Sequence, residues 1–128
     1  MATTILAVDD SVTMRKVLEI TFAGPEFRCI TVPGADAALD KLKSDKPALV
    51  VADVTLEGKN GYDLCKAIKS NPAFRDIPIC FISARSDPAS IDKGRACGAA
   101  DYFVKPVDVG RLLARLDELI AQTAARPS

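Results

Sequence analysis

The sequence predicts a doubly wound α/β fold, a five-stranded parallel sheet with helices on both faces. Three observations point there. Short apolar runs of strand length alternate with segments of helical period along the chain, as in a sheet built from strand–helix–strand units. The runs are continuously apolar rather than alternating, as expected of strands buried on both sides. Punctuation falls between the elements, at Gly24-Pro25, Pro33-Gly34, Pro47, Pro72 and Pro78.

The first run is Ile5 to Val8. A helix follows, with Met14, Val17, Leu18, Thr21 and Phe22 on one face and Asp10 or Ser11 available as its cap. Arg28 to Val32 is a second, weaker run, followed by a helical stripe of Ala35, Ala38, Leu39 and Leu42. The third run, Leu49 to Ala52, precedes a helix after Gly61 that carries Leu64, Cys65 and Ile68. The fourth, Ile77 to Ile82, leads to a segment from Asp87 to Cys97 whose only large aliphatic residue is Ile91. Ser86-Asp87-Pro88 still reads as an N-cap with proline at the first helical position, and Gly98 can close that helix. A short fifth run, Tyr102 to Val104, precedes the strongest stripe: Val109, Leu112, Leu113, Leu116, Leu119 and Ile120.

At 128 residues the chain suits one domain with a real core. Residues 1–122 read as that domain and 123–128 as a tail, either a fraying helix end or the start of a linker. Seventeen basic and seventeen acidic residues cancel, with 27% of residues charged. Such a balance gives no support for direct nucleic-acid binding or membrane attraction. No apolar run is long enough to span a bilayer, and MATTILAVDD has no signal-peptide pattern. The cytoplasm is the expected compartment. Cys29, Cys65, Cys80 and Cys97 form no CxxC pair and the chain has no histidine. Buried reduced thiols are therefore expected in place of a zinc site, and the commonest general base is missing.

The chemistry gathers where the runs end. Asp9-Asp10 follows the first, Asp53 the third, Ser83 the fourth and Lys105 the fifth. In open α/β sheets ligands sit outside the carboxyl ends of the strands, where strand order reverses. Two neighbouring unit charges about 4 Å apart repel by roughly 4 kcal/mol at an effective dielectric near 20, so the acidic mouth calls for a cation. Three carboxylates suit a hard divalent ion, Mg²⁺ best, with waters left for a phosphate-bearing partner. A lysine and a hydroxyl can contact the same phosphoryl group. Together they stabilise charge in phosphoryl transfer, and a carboxylate can itself be the nucleophile. Asp53, alone at its strand end, is the natural acceptor, with Asp9 and Asp10 as metal holders. Taken singly, each residue has a plainer reading as cap, turn residue or solvated charge; their joint occurrence at four strand ends outweighs it.

The sequence closely resembles the receiver domain of bacterial two-component response regulators, the CheY-like family. The resemblance rests on DDS with TMRK at 13–16, LVVADV at 49–54, NGYDL at 60–64, FISAR at 81–85 and GAADYFVKP at 98–106, and it covers essentially the whole chain. It implies strand order 2-1-3-4-5. It further implies Asp53 as phosphoacceptor, Asp10 and Asp53 as direct Mg²⁺ ligands with the backbone carbonyl of Thr55, and Asp9 acting through water. Ser83 and Tyr102 would be the switch pair, and Lys105 the partner of the acceptor and then of the phosphoryl oxygen. Thr55 and Arg85 would flank the attacking water and set phosphoryl lifetime, and Lys105-Pro106 matches the family's cis peptide. The implied donor is a sensor histidine kinase or phosphotransfer protein. The implied output is a downstream effector, read through the face of the fourth helix, fifth strand and fifth helix in a monomer or weak dimer. The resemblance of Asp9 to Lys16 to chemotaxis regulators suggests motility. One departure is Glu57, followed by Gly58, where the family often has proline.

Three other readings fit the residues less well. A haloacid dehalogenase-type phosphatase wants Asp-x-Asp, whereas Thr55 stands two after Asp53. A flavodoxin would find its flavin phosphate repelled by acidic strand ends. A degenerate receiver serving only as an interaction scaffold would not need the full set Asp9, Asp10, Asp53, Ser83 and Lys105. The chain is thus expected to be a phosphorylation switch rather than a turnover enzyme.

Overall fold

In the computed structural model, which describes residues 3–56, 60–105 and 107–125, strand and helix alternate throughout. The order is β1 (Thr3–Val8), α1 (Val12–Thr21), β2 (Phe27–Val32), α2 (Ala35–Asp45), β3 (Leu49–Ala52), α3 (Gly61–Lys69), β4 (Ile79–Ser83), α4 (Pro88–Ala96), β5 (Asp101–Val104) and α5 (Val109–Ala125). The strands form one parallel sheet in the order β2-β1-β3-β4-β5. The expected topology is the observed one. Strand order reverses at β1, whose neighbours are β2 and β3, and the crevice of such a fold opens at the carboxyl ends beside that point.

Side chains alternate across the sheet with period two. Leu6, Val8, Val50, Ala52, Ile79 and Phe81 face one layer with Leu42 of α2 and Leu64 and Ile68 of α3. Ile5, Ala7, Leu49, Val51, Cys80 and Ile82 face the other, with Leu18 of α1 and Leu112, Leu116 and Leu119 of α5. Both faces of the three central strands are covered, which explains why β1, β3 and β4 read as unbroken apolar runs. Cys65, Cys80 and Cys97 are buried and all four thiols are unpaired.

The element ends follow local chemistry. Ser11, Asn60 and Asp87 cap α1, α3 and α4, accepting from the backbone N–H of Met14, Asp63 and Ser90. Gly98 closes α4 at φ 102°, in the left-handed region that glycine tolerates. β1 and β2 begin earlier than their apolar runs because Thr3 N–H reaches Glu26 O at 2.8 Å. β4 begins later than expected: Ile77 N–H is spent on Phe74 O in the preceding turn, and Pro78 contributes only its carbonyl, to Val50 N–H at 3.0 Å. Val17, expected on the covered face of α1, is 41% exposed, as are Val12 at 60% and Ile20 at 75%; α1 buries only Leu18. Helix α5 continues to Ala125, three residues past position 122. The expectations at Glu57, Gly58 and Pro106 lie outside the described residues.

One joint ties the start of α3 to the residues just past β3. Gly61 N–H donates to Val54 O at 2.7 Å, and a Cβ at position 61 would collide with the backbone carbonyl of Asp53 and lie 3.0 Å from Val54 Cα. The first turn of α3 thus sits directly against the peptide that carries Asp53. Backbone cannot yield as a flexible side chain does. Gly61→Ala is expected to lower unfolding free energy by about 1–3 kcal/mol, read as a shift in urea midpoint at unchanged m-value.

Candidate functional site

Three side chains emerge one residue beyond their strands, each held by a backbone bond that extends the ladder. Asp9 N–H donates to Val32 O at 3.1 Å, Asp53 N–H to Val8 O at 2.9 Å and Lys105 N–H to Ser83 O at 2.8 Å. Since Val8 pairs with Ala52 in register, Asp9 and Asp53 stand side by side at the switch point. Lys105 reaches both from beyond β4: its Nζ lies 2.7 Å from Asp53 Oδ2 and 3.3 Å from Asp9 Oδ2.

The remaining carboxylate oxygens are held by backbone donors. Ser11 N–H donates to Asp9 Oδ1 at 2.9 Å, and Thr55 N–H to Asp53 Oδ1 at 3.0 Å. Asp9 is 2% exposed and Asp53 8%, so the ammonium offsets two nearly desolvated charges. Burial is the largest influence on Asp9 and raises its pKa above 3.8, against the lowering effects of Ser11 N–H and Lys105. For Lys105, burial acts downward but is outweighed by Asp53 and then Asp9, so its pKa rises above 10.5. The lysine stays charged at neutral pH.

Asp10, expected to converge with these two, is exposed. Asp9 is buried just past the end of β1, whereas Asp10 lies in the bend that follows and is exposed. Among the described residues no three acidic, histidine or cysteine side chains group closely enough to hold a metal ion. Two carboxylates still fit Mg²⁺, which is bound through one or two carboxylates and keeps several waters. Each oxygen that accepts one hydrogen bond retains lone-pair capacity.

Ser83 and Tyr102 meet at a residue whose backbone sequence reading overlooked. Ser83, 1% exposed, accepts at Oγ from Arg85 N–H at 3.1 Å, and the Tyr102 hydroxyl donates to Arg85 O at 2.9 Å. Both candidate switch residues therefore hold the same stretch of the β4–α4 loop. The Arg85 and Thr55 side chains are exposed beside the crevice. Also unforeseen was Arg15, whose Nη1 donates to Asp9 O at 2.7 Å; its place on the first turns of α1, facing the end of β1, was the available signal.

Lys105→Met tests the cluster. Without the ammonium, burial and the facing Asp53 charge raise the Asp9 pKa further. A carboxylate whose folded pKa lies above its unfolded value costs stability as pH rises through the folded value. The variant is expected to lose about 1–3 kcal/mol relative to the parent between roughly pH 4 and pH 7, read from urea midpoints. In the parent, the stabilisation from Lys105 is fully present below 10.5 and disappears as pH rises through its higher folded value.

The family model described as response regulator receiver domain matches residues 5–117. The protein named probable transcriptional regulator ycf27 of Cyanophora paradoxa is 34% identical over 119 residues, 93% of this chain and 48% of its own length. The DNA-binding response regulator MtrA of Mycolicibacterium paratuberculosis is 29% identical over 124 residues, 97% of this chain and 54% of its own. This chain spans about half the length of these curated relatives. Among solved structures, the signal receiver domain of a signal transduction histidine kinase from Syntrophus aciditrophicus superposes with TM-score 0.90 at 28% identity, covering 99% of this chain and 96% of that one. Chemotaxis protein CheY4 of Vibrio cholerae gives 0.86 at 25% identity, covering 93% and 99%. With a match over nearly its whole length and the family's fold, the chain belongs to the response regulator receiver domain family.

Proposed function

We propose that this receiver is a phosphorylation switch in which Asp53 accepts a phosphoryl group from a phosphohistidine of a sensor kinase or phosphotransfer protein. The observation that carries this reading is the ammonium of Lys105 at 2.7 Å from Asp53 and 3.3 Å from Asp9, at the carboxyl ends of the strands. An oxygen of Asp53 attacks phosphorus, the P–N bond to the donor imidazole breaks, and an acyl phosphate forms. Water later attacks the same phosphorus, returning the carboxylate and releasing inorganic phosphate. No substrate turnover is assigned beyond this gain and loss.

Asp10, Asp53 and the backbone carbonyl of Thr55 would hold Mg²⁺ directly and Asp9 through water, and the bound ion would supply Lewis-acid stabilisation of the phosphoryl oxygens. Lys105 transfers part of its ion pair to a phosphoryl oxygen. Ser83 turns from Arg85 N–H toward the new anion, and Tyr102 follows the freed loop. Thr55 and Arg85, exposed at the rim, set access of the hydrolytic water. The response biases a two-state equilibrium of the α4-β5-α5 face, which a downstream partner reads. Relatives named as transcriptional and DNA-binding regulators favour transcription over motility as the output. Four unpaired thiols suit a reducing compartment, the cytoplasm.

Acetyl phosphate with Mg²⁺ is expected to label the chain once, read as a mass increase of one phosphoryl group mapped to Asp53. Chelating the metal or making Asp53→Asn abolishes the label; a labelled Asn variant would place the acceptor elsewhere. Lys105→Ala is expected to keep the acceptor but lose the response of α4, read by amide exchange.

A further inference from the structure

Helix α4 is held unlike its neighbours. Its buried residues are Ser90 and Gly94, with no large aliphatic side chain among them, and Ile91 is only partly covered. It rests on a row of three rings. Tyr62 of α3 packs edge-on against Phe81 of β4 at a centroid distance of 5.5 Å, and Phe81 lies 6.2 Å from Tyr102 of β5. A Cβ at position 94 would lie 3.0 Å from Tyr102 Cδ2 and 3.1 Å from Phe81 Cδ2, so glycine brings the helix backbone down onto these rings.

With so little apolar anchoring, polar links take a larger share in fixing α4. The outer two rings supply them. The Tyr102 hydroxyl reaches Arg85 O, ahead of the helix, at 2.9 Å. The Tyr62 hydroxyl reaches Ser90 O, in the first turn, also at 2.9 Å, and this bond is buried. The Lys93 ammonium lies 4.8 Å from the Tyr62 ring centroid, within cation–π range. Tyr62 is 6% exposed, and burial raises its pKa above 10.0, so the hydroxyl keeps its proton and remains a donor.

Tyr62 is also tied to the acceptor's own loop. It follows Gly61, whose N–H is bonded to Val54 O and whose Cα is pressed against the Asp53 peptide. The first turn of α3 therefore touches the acceptor's backbone on one side and α4 on the other. We propose that Tyr62 is a second positioning residue of the switch, its hydroxyl on Ser90 O and its ring under Lys93 forming a latch on α4 that responds to the state of Asp53. This rests on the phosphoacceptor reading above. It adds a route through α3 to the Ser83–Tyr102 route through β4 and β5.

Amide exchange of residues 89–97 in Tyr62→Phe, with and without beryllofluoride and Mg²⁺, tests this. Phenylalanine keeps the ring and removes only the hydroxyl, and unchanged exchange in β1 and β3 confirms the fold. In the unmodified variant, α4 amides are expected to exchange about five-fold faster than in the parent, the loss of one buried hydrogen bond. The difference in α4 exchange between the free and beryllofluoride-bound states is expected to shrink. Unchanged α4 exchange in the free variant overturns the latch. Faster exchange with an undiminished difference between the two states overturns the switching role and leaves a static bond. A parent protein indifferent to beryllofluoride refutes the phosphoacceptor reading and the switching role with it, while the free-state comparison still decides whether the hydroxyl holds α4.

Discussion

The structure turns on one ammonium set between two buried carboxylates. Asp9 and Asp53 lie on adjacent strands and are almost wholly removed from water. Left alone, two such charges about 4 Å apart would repel by roughly 4 kcal/mol at an effective dielectric of 20. Lys105 relieves that repulsion from the far side of β4. Its reach depends on β5 being the neighbour of β4, and the sheet order is thereby coupled to the electrostatics of the crevice. The same cation is already in place for any anionic group added at Asp53.

Much of this was legible in the sequence. The five apolar runs became the five strands, and Asp9, Asp53 and Lys105, just past three of them, are joined by the lysine's ion pairs. Those features survive translation because a strand buried on both faces needs no pattern beyond continuous apolarity, and a carboxylate or lysine at its end is visible by type alone. Asp10 shows the limit. Sequence places it beside Asp9, and only coordinates separate the buried member from the exposed one. Val17 shows another. Its spacing matched the covered face of α1, but that helix and its cap meet the core through Leu18 and Phe22, with Met14 packed beside them, and leave Val17 outside.

The links to α4 could not be read in advance. Tyr62 looks in sequence like an ordinary first-turn residue of α3, and Gly94 like a poor helix former in a weak helix. Their roles appear only when α4 is laid across β4 and β5, where the missing side chain of Gly94 becomes room for the Phe81 and Tyr102 rings. Arg85 was singled out for its charge, whereas its peptide is what Ser83 and Tyr102 hold. Side-chain identity is written in the sequence; the use of backbone groups is not.

The register of the sheet has a consequence for where the chain tolerates changes in length. Val8 pairs with Ala52, and Ser83 with Val104, so every charged group of the crevice is counted off from a paired residue. An insertion or deletion of one residue near the end of β1, β3 or β5 would send a carboxylate or the lysine to the opposite side of its strand. At the other end of the sheet, the turns around Gly24–Glu26 and Asn71–Asp76 are largely exposed and carry none of these groups. Natural variation in loop length, and any grafted segment, belongs at that amino end.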